Sequence, residues 1–261
     1  MESMTDIITQ KLADIEQKEG VRIIYACESG SRAWGFASPD SDYDVRFIYV
    51  RNMNSYLTLE PIRDVIEWQL DETLDINGWD IKKALQLLYK ANPVLFEWNN
   101  SPIVYKTTAE WPLVQNVMNH YFDLRTGLNS YLGICRGQDE RYFRNHDDIP
   151  LKKYFYVLRP ILACRWILDK KSPPPMLFDE LVSQELDDSL KTLVSDLVAR
   201  KKTAPEKFFG PHIPALDSYV ADNMKTIDEQ IALLPREESK DWDELNNVFK
   251  NILYFSHTVQ G

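Results

Sequence analysis

Glu28-Ser29-Gly30-Ser31-Arg32-Ala33-Trp34-Gly35-Phe36-Ala37-Ser38-Pro39-Asp40-Ser41-Asp42-Tyr43-Asp44 is the stretch on which the fold of this chain turns. A Gly-Ser turn followed at fixed distance by alternating aspartates can assemble a phosphate cradle beside a divalent-metal site. The apolar run Val21-Arg22-Ile23-Ile24-Tyr25-Ala26-Cys27 ahead of it reads as a strand, and Val45-Arg46-Phe47-Ile48-Tyr49-Val50 after it as a neighbouring strand. A short helical turn and a Ser-Pro-Asp loop join them.

Side chains alternate across a strand, so the spacing places Asp42 and Asp44 on one face, with Tyr43 and Val45 on the other. Mg²⁺ takes hard oxygen ligands, keeps several waters and is completed by substrate phosphates, so two aspartates with one further carboxylate make a fitting ligand set. Gly30 permits close approach of a phosphate to the backbone, and Ser31 offers a hydroxyl and an N–H. An EF-hand also spaces acids as Asp40, Asp42 and Asp44 do, but it requires Gly where Val45 stands and Glu where Arg51 stands. That reading fails.

The 261 residues, 44% of them hydrophobic, suffice for one large or two modest cores. The polar start Met1-Glu2-Ser3-Met4-Thr5-Asp6 has no apolar segment of a secretion signal behind it, and no apolar run is long enough to span a membrane. Cys27, Cys135 and Cys164 are far apart and odd in number, which fits neither a disulfide framework nor a zinc cluster. The cytoplasm is therefore the expected compartment. A net charge of −10 argues against a chain that wraps nucleic acid with its whole surface. Residues 136–171 are an exception, with nine Lys or Arg against five acids. His120, His146, His212 and His257 show no metal-binding spacing.

Apolar residues at helical spacing between Met4 and Lys18 predict an amphipathic helix before the first strand. Further strands are expected at Asp64–Trp68 and Glu72–Ile76, the latter broken by Asn77-Gly78, giving a mixed sheet of about four strands. Asp80 precedes a helical pattern over Ile81–Lys90, Asn92-Pro93 ends it, and Val94–Asn99 reads as another short helix. Tyr105–Ala109 is expected to link two domains, residues 1–108 and 109–261. The second reads as all-helical, with helices over Trp111–Gly137, Pro150–Lys170, Phe178–Arg200, Ala215–Leu234 and Trp242–His257, and residues 258–261 are expected to fray. The fold class is thus α+β, followed by an all-helical C-terminal domain.

Gly30-Ser31 and Asp42-Tyr43-Asp44 resemble the signature of the DNA polymerase β-type nucleotidyltransferase superfamily. The similarity extends to its predicted RNA-repair-associated members, the RlaP or YcgL-like family. It is carried by Ala26–Phe36 and Asp40–Phe47, then Asp75-Ile76-Asn77-Gly78-Trp79-Asp80, Asn92–Trp98, Ser101–Tyr105 and Lys152–Pro160. It implies transfer of NMP from an NTP to an acceptor hydroxyl with Mg²⁺, or Mn²⁺ in its place. An RNA or tRNA end is the favoured acceptor; a small molecule, a protein side chain or a catalytically idle nucleotide-binding module are the alternatives.

Asp75, inside a strand, is preferred as the third carboxylate over Asp80, which an N-cap role explains; Glu67 and Asp71 are weaker options. Asp42, Asp44 and Asp75 are thus the expected catalytic and metal-binding residues, and the superfamily resemblance implies Asp75 as general base. Gly30, Ser31, Arg32, Arg46, Lys153 and Arg159 are the expected nucleotide ligands. Arg46 shares the face of Asp42 and Asp44 and can equally pair with a sheet carboxylate, while Arg159 has a structural salt bridge as its competing role. Trp34 and Tyr43 can stack a base or pack in the core.

Overall fold

The computed structural model describes residues 3–69, 73–144, 146–203, 208–235 and 240–258. Asp71 and Glu72, and residues 259–261 of the segment 258–261 expected to fray, lie outside the described residues.

The chain opens with α1 (Met4–Glu19), whose capping box pairs Ser3 with Asp6 and whose exit uses Gly20 in the left-handed region. β1 (Val21–Ser29), the single-turn α2 (Gly30–Ala33) and β2 (Tyr43–Arg51) follow, then β3 (Val65–Gln69) and β4 (Leu74–Asp80). After α3 (Ile81–Tyr89) and α4 (Pro93–Asn99), β5 (Val104–Thr107) returns to the sheet. The strand order is β3-β4-β2-β1-β5, with β2 and β4 parallel and the other neighbours antiparallel. Five strands therefore replace the expected four, because Tyr105–Thr107 is an edge strand rather than a linker.

Asn77-Gly78 does not break β4 either. Gly78 lies beneath the Phe47 ring, where a Cβ would collide with ring carbons, so glycine is required by close packing in mid-strand.

From α5 (Trp111–Tyr121) the chain is mainly helical: α6 (Leu124–Tyr142), α7 (Leu151–Lys170), α8 (Phe178–Glu185), α9 (Asp188–Thr203), α10 (Pro214–Leu233) and α11 (Asp243–Thr258). Two expected long helices are each divided. Asp123 caps α6 by accepting the Thr126 N–H, and Leu186 takes an extended conformation after α8. The half is not purely helical, since β6 (Asp148–Pro150) pairs with β7 (Phe209–Pro211).

The sheet buries both faces. One packs Ile23, Ala26, Val45 and Phe47 against Ile8, Leu12 and Ile15 of α1. On the other, Ile24, Cys27, Ile48 and Val50 join a core that runs through Leu85 and Phe96 to Leu158 of α7 and Ile252 of α11. Apolar burial thus continues across the proposed boundary at residue 108. Cys27 packs in this core, as do Cys135 and Cys164. Among the described residues no helix is long and apolar enough to cross a membrane.

Candidate active site

The end of β1 and the start of β2 lie side by side, with Ser29 opposite Asp44 in the antiparallel register. At Gly30 the backbone turns with φ of +61°, and a Cβ there would overlap Asp44 Oδ2. Glycine is needed twice over: for the left-handed conformation and for the close approach of the Asp44 carboxylate. Ser31 follows on α2 and is partly exposed.

β2 begins at Tyr43, so Asp42 stands on the preceding loop, exposed, rather than on the strand face with Asp44. Arg32 ties that loop to the turn. Its Nε donates to the Asp42 carbonyl at 3.1 Å, a terminal nitrogen donates to the Ser41 carbonyl at 2.6 Å, and the guanidinium covers the Tyr43 ring at 3.6 Å. Beneath the loop, Ser38 and Ser41 hydroxyls lie 3.0 Å apart, and buried Lys201 of α9 donates to Ser38 Oγ at 2.8 Å. The helical half therefore helps hold the Asp42 loop.

Parallel pairing of β2 with β4 sets Asp44 beside Asp75. Arg46 spans them, 3.1 Å from Asp44 Oδ1 and 2.8 Å from Asp75 Oδ2, and also donates to the Asp75 carbonyl at 3.2 Å. Asp75 is 49% exposed at its side chain and Asp44 31%, so both carboxylates reach solvent. Burial pushes the Asp44 carboxyl pKa upward; Arg46 opposes this, while the negative fields of Asp75 and Asp42 add to it. Among the described residues, Arg46 is the cation that pairs with both Asp44 and Asp75.

Asp44 is anchored from below. Its backbone N–H donates to Glu28 Oε1 at 2.8 Å, and Tyr105 of β5 donates its hydroxyl to Glu28 Oε2 at 2.5 Å. Glu28 is fully buried; desolvation raises its carboxyl pKa, and the bonds from Tyr105 and Asp44 oppose the shift. Sequence reasoning missed Glu28, Tyr105 and Lys201 as parts of this site. An acid directly after the apolar run Ile23–Cys27 is the signal for Glu28; Lys201 gives none, because its partner is 163 residues away.

Among the described residues no group of three or more His, Cys, Asp or Glu side chains is arranged to hold a metal ion by itself. Asp44 and Asp75 still fit one. They are adjacent, oxygen-bearing and solvent-reaching, with Asp42 contributing to the same negative field, and Mg²⁺ ordinarily draws its remaining ligands from water and phosphate.

Two expected nucleotide ligands are placed elsewhere. Arg159 is buried in α7, paired with Glu97 at 2.7 Å and set over the Trp34 ring at 4.7 Å, and Tyr131 donates to the same Glu97 oxygen at 2.8 Å. Its guanidinium is committed to the packing of α7 against α4 and the Trp34 loop, which is the salt-bridge role. Lys153 donates to Gln138 at 3.2 Å and lies against the Tyr142 and Tyr156 rings at 3.9 and 4.8 Å. Tyr156 meets Trp34 edge-on at 5.5 Å, so two aromatic rings stand between Lys153 and the Gly-Ser segment. Asp80 caps α3, accepting the Lys82 N–H at 2.8 Å, and is 2% exposed.

The sequence profile of RlaP, described as an RNA repair pathway DNA polymerase β family, matches residues 4–251. The chain belongs to this family. Its members are polymerase β-like nucleotidyltransferases. An uncharacterized protein YcgL of Bacillus subtilis is 40% identical over 252 residues, covering 95% of this chain and 96% of its own length. A crystal structure of a nucleotidyltransferase-like protein from Exiguobacterium sibiricum aligns over 86% of this chain and 74% of its own, at 13% identity and a TM-score of 0.32.

Proposed function

We propose that this RlaP-family protein transfers a nucleoside monophosphate from an NTP to an acceptor hydroxyl, releasing pyrophosphate, and that the acceptor is an RNA end, tRNA included. The observation that carries the reading is the contact between Gly30 of the Gly-Ser turn and the Asp44 carboxylate, with Asp75 joined to it through Arg46. A triphosphate seated on the turn, with Ser31 as hydroxyl donor, then lies beside the acidic group. The family's description supports RNA as acceptor, and the cytoplasm is the compartment this reading adopts.

Mg²⁺, or Mn²⁺ in its place, would be held by Asp44 and Asp75, with Asp42 adding its negative charge from the adjoining loop, and would neutralise phosphate charge. The chain's own residues do the rest. Gly30 and Ser31 hold the phosphates in line for attack. Asp75, the more exposed carboxylate, accepts the proton of the acceptor hydroxyl as its oxygen bonds to the α-phosphorus. The bond from that phosphorus to the β-bridging oxygen breaks, and pyrophosphate leaves. Arg46 keeps Asp75 oriented toward Asp44.

The test is incubation of the purified protein with each α-labelled NTP, Mg²⁺ or Mn²⁺, and total cellular RNA or protein. Label in RNA, lost on Asp44→Asn, is the expected result. Label in protein or a small molecule alone overturns the acceptor assignment, and no label with any NTP overturns transfer.

A further inference from the structure

Glu28 poses a physical question that the transfer reaction leaves open. A fully buried carboxylate in a strand of Ile, Tyr, Ala and Cys costs free energy unless its oxygens are satisfied, and an apolar side chain there would pack without that cost. Both oxygens are satisfied, each by a different strand. Oε1 takes the Asp44 N–H of β2, and Oε2 takes the Tyr105 hydroxyl of edge strand β5. The Glu28 carbonyl in turn accepts the Ser101 hydroxyl at 2.6 Å, which secures the chain entering β5.

The Asp44 N–H therefore has a side chain as its acceptor at the point where the β1–β2 ladder ends, with Ser29 as the last residue in register. The same residue presents its carboxylate to Gly30 and Arg46. Fixing its backbone nitrogen fixes the origin of the side chain that must reach both.

We propose that Glu28, supported by Tyr105, is a positioning residue that sets the Asp44 carboxylate against the Gly-Ser turn. It touches neither nucleotide nor acceptor. The proposal rests on the nucleotidyltransferase reading for its catalytic consequence, but its structural content concerns Asp44 alone. A glutamine can keep the arrangement, its amide oxygen accepting the Asp44 N–H and its amide nitrogen donating to the Tyr105 oxygen. A leucine fills the space and releases Asp44.

The experiment compares the parent with Glu28→Gln, Glu28→Leu and Tyr105→Phe. Hydrogen exchange at the Asp44 amide is read by NMR, and Mn²⁺ binding with a non-hydrolysable α,β-methylene NTP by calorimetry. Thermal unfolding reports folding, and pyrophosphate release is split into kcat and KM. Expected are Asp44 amide protection and Mn²⁺–nucleotide affinity near the parent's in Glu28→Gln, and loss of protection with at least roughly tenfold weaker binding in Glu28→Leu. Turnover should fall through kcat more than KM, with Tyr105→Phe intermediate. Parent-like exchange and binding in folded Glu28→Leu overturn the proposal, as does a loss that Glu28→Gln fails to rescue. If Glu28→Leu does not fold, Tyr105→Phe decides: an Asp44 amide that exchanges as in the parent, with parent-like binding, overturns the proposal too. A parent that binds no nucleotide defeats the transferase reading instead, and the Asp44 amide then decides the positioning role alone.

Discussion

β2 and β4 run side by side and carry an aspartate–arginine group at each end, yet the two ends have opposite electrostatic character. At one, Asp44 and Asp75 share Arg46, with Asp42 on the adjoining loop adding its negative field. At the other, Asp80 has the Lys82 N–H on one oxygen and the Tyr56 hydroxyl on the other at 2.9 Å, with Arg51 Nε at 4.0 Å. Burial raises the carboxyl pKa at both Asp44 and Asp80, so burial does not tell them apart. What differs is the remainder. Asp80 is enclosed by donors, whereas the Asp44 end faces solvent with more carboxylates than cations. A surplus of negative charge open to solvent is what a cation-bearing triphosphate would complete.

The sharpest way to break this contrast is to neutralise one acid at each end. Asp44→Asn and Asp42→Asn should each lower pyrophosphate release by about two orders of magnitude or more, the loss of several kcal/mol of charge stabilisation. Asp80→Asn should turn over as the parent does, because asparagine caps a helix as well as aspartate. Equal losses at the two ends, measured by steady-state kinetics, would erase the distinction.

Arg159 extends the contrast to the helical half. Its pairing with Glu97 is nearly closed to solvent, so Arg159→Ala leaves a buried carboxylate without its cation and should cost about 3–5 kcal/mol in denaturant unfolding. Nucleotide affinity of the folded variant should stay at the parent's value. A calorimetric loss of NTP binding without loss of stability would instead return Arg159 to the triphosphate.

The legible parts of the molecule were those governed by local rules. Apolar runs located β1 and β2, and the Asp80 cap and the helical period after it located α3. Asp75 was preferred over Asp80 from strand against cap, and the structure sets Asp75 beside Asp44. The illegible parts depend on distant partners. Tyr105–Thr107 resembles a linker until β1 offers it an edge, and Asn77-Gly78 resembles a break until the Phe47 ring covers it. Arg159 falls in a family-like segment near other cations, but Glu97 and Tyr131, from two other helices, determine where its charge goes. Glu28 is visible in the sequence as an acid in an apolar strand; its partner on β5 is not.

A smaller effect comes from the Asp80 end itself. Asp80→Ala removes the acceptor of the Lys82 N–H and of the Tyr56 hydroxyl, and the lost cap should cost about 1 kcal/mol. Asp80→Asn should recover most of it. Thermal unfolding of the pair separates capping from charge: an Asn variant as unstable as the Ala variant would mean that the carboxylate's charge toward Arg51 matters more than its hydrogen bonds.

The smallest effect concerns a half-buried pair of the helical half, His212 and Asp217. Nδ1 of His212 lies 2.8 Å from Asp217 Oδ2 and Nε2 lies 2.8 Å from the His146 carbonyl, so the doubly protonated ring satisfies both acceptors. The His146 carbonyl first, and the Asp217 carboxylate second, raise the imidazole pKa above its usual 6.5, with slight burial opposing. The folded value exceeds the unfolded one, so the stabilisation is fully present below the unfolded pKa and disappears as pH rises through the folded pKa. Solvent access to both side chains keeps it small. An NMR titration should place the His212 midpoint above that of free histidine, and Asp217→Asn should lower it without altering nucleotide affinity. A midpoint that ignores Asp217→Asn would leave the His146 carbonyl, helped by the Asp147 charge, as the cause. A nucleotide affinity that follows it would tie this pair to the acidic end of the sheet.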